Sequence, residues 1–126
     1  VIPQTSQLRF YQNTGITVNA AITKDIIESI FFKNSPLHDG ALIIAEHKVA
    51  AAKCVLPLSD NPDLPVKLGL RHRSGVGITE QSDATCIIVS EESGGISYAR
   101  EGRLYQDISK DELQKLIARS LFHSIN

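Results

Sequence analysis

Asp39-Gly40-Ala41 and, further along, Arg71-His72-Arg73 are the residues of this chain whose types and grouping suit chemistry. A carboxylate at the entrance to an apolar strand can orient or deprotonate a hydroxyl, and two guanidiniums in one short block offer planar, charge-assisted donors to phosphate oxygens. Together they are what a protein needs to hold a polyphosphate and activate a hydroxyl beside it. Gly40 and Ala41 carry almost no side chain, so a ligand can approach the backbone closely there. Each half also has a plain structural reading: Asp-Gly is a strong turn dipeptide, and an arginine run is commonly a solvated face.

Neighbouring residues extend both halves. Ser74 and the amides around Gly75 add neutral donors close to the arginines, at what the pattern suggests is a helix terminus. Ser90 and Glu92 follow the apolar run Thr85 to Val89 and share one face if the extended conformation continues through them, whereas a solvated turn at Glu91-Glu92 is the alternative. His38, Asp39 and Glu92 form a nitrogen and oxygen ligand set suited to manganese-like or magnesium-like ions, although their spacing does not show that they converge. His47, His72 and His123 lack a second ligand at metal spacing, and the chain holds neither a Ser-His-Asp order nor a Walker-type phosphate loop.

The elements that must position these groups are legible in part. Val1-Ile2-Pro3 reads as the end of a strand and Leu8 to Tyr11 as a short extended piece before a turn at Asn13-Thr14-Gly15. Ile22, Ile26, Ile27, Ile30 and Phe31 form one apolar stripe, which predicts a helix capped by Thr23 and ended by Asn34-Ser35-Pro36. Ala41 to Ala45 and Val49 to Leu56 predict a pair of buried strands joined across Glu46-His47-Lys48. Pro57, Pro62 and Pro65 make the next segment a rigid loop, followed by a short helix over Val66 to Ile78. Ala84 to Ser90 reads as a buried strand, Glu91 to Gly95 as a turn, and Ile96 to Arg100 with Arg103 to Gln106 as a hairpin across Glu101-Gly102. A final helix follows Ser109, which stands at capping-box spacing from Glu112, and carries Leu113, Leu116, Ile117 and Leu121. Strands outnumber helices and neither class is segregated, so the expected fold is α/β: a single domain with a central mixed β-sheet flanked by α-helices.

Composition narrows the function classes. The chain has 126 residues, 42% hydrophobic and 21% charged, the profile of one globular domain. A formal net charge of -1 gives no overall field toward nucleic acid or an anionic membrane, so an anion site must be local. Cys54 and Cys86 sit in apolar runs and read as reduced, buried hydrophobes. No apolar stretch approaches the roughly 20 residues of a transmembrane helix, so the chain alone is expected to be soluble. It contains no methionine, and an upstream segment, a membrane anchor among the candidates, is expected to precede it.

In order along the chain, Ser35-Pro36-Leu37-His38-Asp39-Gly40-Ala41, Leu56-Pro57-Leu58-Ser59, Leu68-Gly69 ahead of Arg71-His72-Arg73, Ser82-Asp83-Ala84 and Ser90-Glu91-Glu92-Ser93-Gly94 resemble the motifs of the diadenylate cyclase domain, particularly its membrane-anchored bacterial type. The resemblance spans nearly all of residues 1-126 and implies the diadenylate cyclase fold. It also implies condensation of two ATP molecules into the second messenger cyclic di-AMP, with release of two pyrophosphates. It further implies a divalent metal (Mn2+ first, with Mg2+ and Co2+ as others), a face-to-face homodimer or higher homo-oligomer, and a place at the cytoplasmic face of the bacterial membrane through an anchor outside this chain. A regulatory protein partner is in keeping with the family, whereas no nucleic-acid partner is expected: the net charge is near neutral, and the chain lacks the helix-hairpin-helix segment of the family's DNA-scanning branch.

Carried over by motif, Asp39 helps activate the attacking 3'-hydroxyl, with Arg71 and Arg73 completing the catalytic set. The resemblance implies that His38, Asp39 and Glu92 hold metal. By the same resemblance Arg71, Arg73, Ser74 and Ser90 are expected to bind phosphate, with His72 in a positioning role. Gly40, Ala41, Leu56, Pro57, Leu58, Ser59, Leu68 and Gly69 are expected to line the nucleotide. Many relatives have threonine where this chain has Leu70, which removes a hydroxyl able to touch phosphate or ribose. That departure keeps a catalytically silent nucleotide-binding regulatory module as the alternative function.

Overall fold

The computed structural model describes residues 1–5 and 8–122, and its contacts divide the chain into two compact units, the first ending at Val55 and the second running from Leu56, with Ile2 belonging to the second. His123, considered above as a ligand, lies outside the described residues.

In the first unit, the unbroken apolar run Leu42-Ile43-Ile44 is buried within β2 (Ala41–Ala45), as its composition predicts. Glu46 and His47 both take positive φ, 52° and 60°, which closes the two-residue hairpin to β3 (Lys48–Cys54). With β1 (Ile16–Ala21), these strands form a three-stranded antiparallel sheet in the order β1-β3-β2. The Thr23 hydroxyl accepts the Ile26 N–H at 3.1 Å and caps α2 (Lys24–Phe31) as expected. Ile30 is buried, but Phe31 is exposed, and the chain leaves the helix at Phe32, ahead of Asn34-Ser35-Pro36.

Two expectations fail in this unit. Leu8 takes a left-handed φ of 55° and leads into α1 (Arg9–Gln12), one helical turn where an extended piece was predicted. The sequence reading also misses β1. Ile16, Val18 and Ala20 do alternate with polar residues, but β1 is an edge strand with Ile16 exposed and a bulge at Asn19 (φ 51°), so its apolar signal is weak.

The second unit holds α3 (Leu70–Glu80), β4 (Thr85–Val89), β5 (Ile96–Arg100), β6 (Arg103–Tyr105) and α4 (Lys110–Phe122). Its sheet is antiparallel in the order β4-β5-β6, with Ile2 bridged to Thr85 at its margin. Helix α3 begins at Leu70, four positions later than predicted, because Val66 and Lys67 form a turn after Pro65 and Gly69 serves as N-cap. Its interior glycines cost helix propensity, about 1 kcal/mol each. Packing requires one of them outright: a Cβ on Gly77 would stand 1.9 Å from the Pro57 carbonyl oxygen. The Ser109 hydroxyl accepts the Glu112 N–H at 3.1 Å at the start of α4, and Leu116 is buried on the predicted face.

The α/β class is as expected, with helices and strands interspersed. The central mixed sheet is not: the strands form two three-stranded sheets, and every described pairing is antiparallel. Short turns between β2 and β3, β4 and β5, and β5 and β6 leave no length for the crossover that a parallel pair needs. Cys54 and Cys86 are free and buried, and burial pushes both thiols up from their ordinary pKa. Among the described residues, no helix is long and apolar enough to cross a membrane.

Candidate active site

The first unit presents Asp39 on a segment shaped by backbone geometry. The Ser35 hydroxyl accepts the Leu37 N–H at 3.1 Å, and the Ser35 carbonyl accepts the His38 N–H at 3.3 Å, which folds the chain back before the strand. Gly40 has φ +147°, and a Cβ there would lie 2.7 Å from the Lys53 backbone. Lys53 is itself left-handed at φ 56°, so the start of β2 nests against a bulge in β3 and pairs Ala41 with Cys54. Asp39 is exposed at the mouth of this turn, and among the described residues its carboxylate has neither a hydrogen bond nor an ion pair.

His38 Nδ1 stands 2.8 Å from the Ser35 carbonyl oxygen. A carbonyl only accepts, so Nδ1 carries a hydrogen, and in the neutral ring Nε2 is the nitrogen left with a lone pair. This is the arrangement a metal-binding imidazole uses, one nitrogen held by a carbonyl and the other left as ligand. The donor chemistry of His38, Asp39 and Glu92 therefore fits a divalent ion. Among the described residues, however, no group of three or more His, Cys, Asp or Glu side chains is gathered as a metal-holding cluster. His38 and Asp39 belong to the first unit and Glu92 to the second.

In the second unit, the first turn of α3 contains no acidic residue and carries Arg71, His72 and Arg73. Positions two apart on a helix point to different sides, and the arginines diverge accordingly. Arg71 reaches the end of β4, donating from Nη1 to the Val89 carbonyl at 3.0 Å and from Nη2 to Glu91 Oε1 at 2.5 Å. Arg73 donates from Nη2 to the Pro65 carbonyl at 3.3 Å. His72 lies between them and its pKa is lowered, first by burial and then by the Arg71 charge, so it tends toward the neutral imidazole.

The proline loop is fastened to this helix. Ser59 is buried; its N–H donates to the Arg73 carbonyl at 3.0 Å and its hydroxyl to Glu80 Oε2 at 2.9 Å. Leu56 is buried beside it, Pro57 crosses Gly77, and Leu58 is exposed, which places the predicted nucleotide wall along α3. Gly69 has open space where a Cβ would be, at the very start of the helix.

Some predicted site residues have other engagements. The Ser74 hydroxyl donates to the Leu70 carbonyl at 2.7 Å, back along its own helix. Strand β4 stops at Val89, and residues 91–93 form a turn, so Ser90 and Glu92 are not successive positions on one strand face. The Ser90 hydroxyl accepts the Ser93 N–H at 3.4 Å and its carbonyl accepts the Gly94 N–H at 2.9 Å. The sequence reading missed Glu91, and also the Val89, Pro65 and Ser35 carbonyls, as partners of site residues. Only Glu91 carried a side-chain signal, and an exposed Glu-Glu pair is a common feature of solvated turns.

Residues 1–104 match the profile of the family described as DAC, DisA bacterial checkpoint controller nucleotide-binding. The chain is 48% identical over 111 residues to the diadenylate cyclase of Listeria monocytogenes serotype 1/2a (strain 10403S), covering 88% of this chain and 41% of that protein. It is 45% identical over 107 residues to the cyclic di-AMP synthase CdaA of Bacillus subtilis (strain 168), covering 85% and 39%. Its fold is similar to a crystal structure of a double mutant of DacA from Staphylococcus aureus, with a TM-score of 0.91, 46% identity, and 94% of this chain and 79% of that one covered. The chain belongs to the DAC family. It spans about two-fifths of the length of the curated relatives named above.

Proposed function

We propose that this chain is the catalytic region of a diadenylate cyclase, condensing two ATP molecules into cyclic di-AMP and two pyrophosphates. The observation that carries the reading is the first turn of α3, where Arg71 and Arg73 stand at a helix N-terminus that has no side-chain cap and no acidic residue in its first turn. Helix amides and guanidiniums together suit a triphosphate. Phosphoryl transfer consists mainly of alignment and charge neutralisation, so such a cradle supplies much of what the reaction needs.

In this reading Asp39 orients the 3'-hydroxyl and accepts its proton as it attacks the α-phosphorus of the opposing ATP. An exposed carboxylate with no hydrogen bond or ion pair among the described residues is available to do so. His38 with the carboxylates of Asp39 and Glu92 would hold the divalent metal, which when bound would offset phosphate charge. Leu56, Pro57, Leu58, Ser59, Leu68 and Gly69 would border the nucleotide. Each protomer supplies one ATP and one hydroxyl, so a face-to-face homodimer or higher homo-oligomer is required. The full-length protein would sit at the cytoplasmic face of the bacterial membrane, through an anchor outside this chain.

Purified protein incubated with ATP and Mn2+ is expected to yield cyclic di-AMP by chromatography, with a rate per protomer that rises with protein concentration while dimers are weak. Asp39→Asn is expected to keep ATP binding and lose about 1,000-fold in turnover. Normal turnover by that variant would remove Asp39 from the mechanism. ATP binding without product at high protein and metal would replace the cyclase with a nucleotide-binding regulatory module.

A further inference from the structure

We propose that Glu91 is a positioning residue for substrate binding, holding the Arg71 guanidinium in the orientation that receives phosphate. The proposal rests on the reading of Arg71 as a phosphate ligand. Arg71 spans from the first turn of α3 to the end of β4, and two groups there take one donor from each terminal nitrogen: the Val89 carbonyl accepts from Nη1 at 3.0 Å and Glu91 Oε1 accepts from Nη2 at 2.5 Å. A guanidinium has five N–H donors in a rigid plane. With one hydrogen on each terminal nitrogen committed, the plane is set and three donors remain for a ligand.

Neither contact is a buried structural bond. The Arg71 side chain is 38% exposed and that of Glu91 71% exposed, so the pair contributes little to folding. Its effect is on rotamer freedom: an unrestrained arginine must be ordered when phosphate binds, whereas a pre-oriented one loses less on binding. The Val89 carbonyl alone leaves the plane free to turn about a single hydrogen bond, and Glu91 supplies the second point.

The test measures ATP affinity by calorimetry in the presence of EDTA, together with KM and kcat under Mn2+, for Glu91→Ala, Glu91→Gln and Arg71→Ala. Glu91→Ala is expected to weaken ATP binding about threefold to tenfold and to raise KM with kcat nearly unchanged, at an unaltered melting temperature. Glu91→Gln retains a carbonyl oxygen able to accept from Nη2 and is expected to stay within about twofold of the parent protein. Unchanged or tighter binding by Glu91→Ala, alongside clear loss in Arg71→Ala, would overturn the role of Glu91 while leaving Arg71 a phosphate ligand. Normal binding by Arg71→Ala would instead overturn the phosphate reading on which the proposal stands.

Discussion

The Asp39 turn and the arginine-bearing helix solve opposite problems. In the turn, positioning is done by backbone: Gly40 at φ +147°, the bulge at Lys53 and the Ser35 carbonyl under His38 shape the segment, while the Asp39 carboxylate is left without a partner among the described residues. In the helix, positioning is done through side chains: Arg71 is held by Val89 and Glu91, Arg73 by Pro65. The difference follows from charge and length. An aspartate has a short side chain with two torsions, so the backbone of its turn is enough to place the carboxylate, and no protein donor need occupy the oxygens that a ligand would use. A long, always-charged guanidinium has too many rotamers to be useful unless some of its donors are already committed.

This contrast can be broken most decisively at Gly40. Gly40→Ala forces a Cβ to within 2.7 Å of backbone at a positive φ and is expected to destabilise the protein by about 3 kcal/mol, measured by chemical denaturation. A loss under about 1 kcal/mol would mean that the turn can be rebuilt without its backbone constraint. Arg73→Ala should cost less, about 0.5–1 kcal/mol, because it removes one hydrogen bond to the Pro65 carbonyl at a partly exposed site. A cost equal to that of Gly40→Ala would make the arginine a structural residue and erase the distinction.

A smaller effect tests the surroundings of the arginines. His72 binds its proton less tightly in the folded protein than in the unfolded chain, so the unfolded chain takes up more protons as pH falls below about 6.5. Stability should therefore rise with pH up to that value, its loss being complete below the lowered folded pKa. His72→Gln should flatten this part of the profile in denaturation curves collected from pH 5 to 8, and an unchanged slope would remove His72 as its source. Smallest of all is Asp39→Asn on stability, expected within about 0.5 kcal/mol because the carboxylate is exposed and has neither a hydrogen bond nor an ion pair among the described residues. A markedly raised or lowered midpoint would reveal a structural partner for that carboxylate.

Legibility from sequence followed the range of the interaction. Thr23 and Ser109 announced their helices because a cap acts over three residues, and both form the expected hydrogen bonds. Leu42-Ile43-Ile44 announced a buried strand by composition alone. The edge strand β1 and the helical turn at Arg9 did not stand out, since one is partly exposed and bulged and the other follows a left-handed Leu8. The start of α3 was misjudged because Gly69, without a capping side chain, serves as its N-cap.

By itself, the sequence determined the inventory of the site, Asp39, Arg71 and Arg73 with their flanking motifs, and through those motifs the family. It also determined the capped helices and the hairpins, which depend on neighbours a few positions away. Only the tertiary structure decided that the strands part into two antiparallel sheets, that a Cβ on Gly40 would meet the Lys53 backbone, that His38 Nδ1 faces the Ser35 carbonyl, and that Glu91 faces Arg71. The physical reason is common to all four. Each depends on contacts in space or on backbone carbonyls, which every residue carries and no residue type announces.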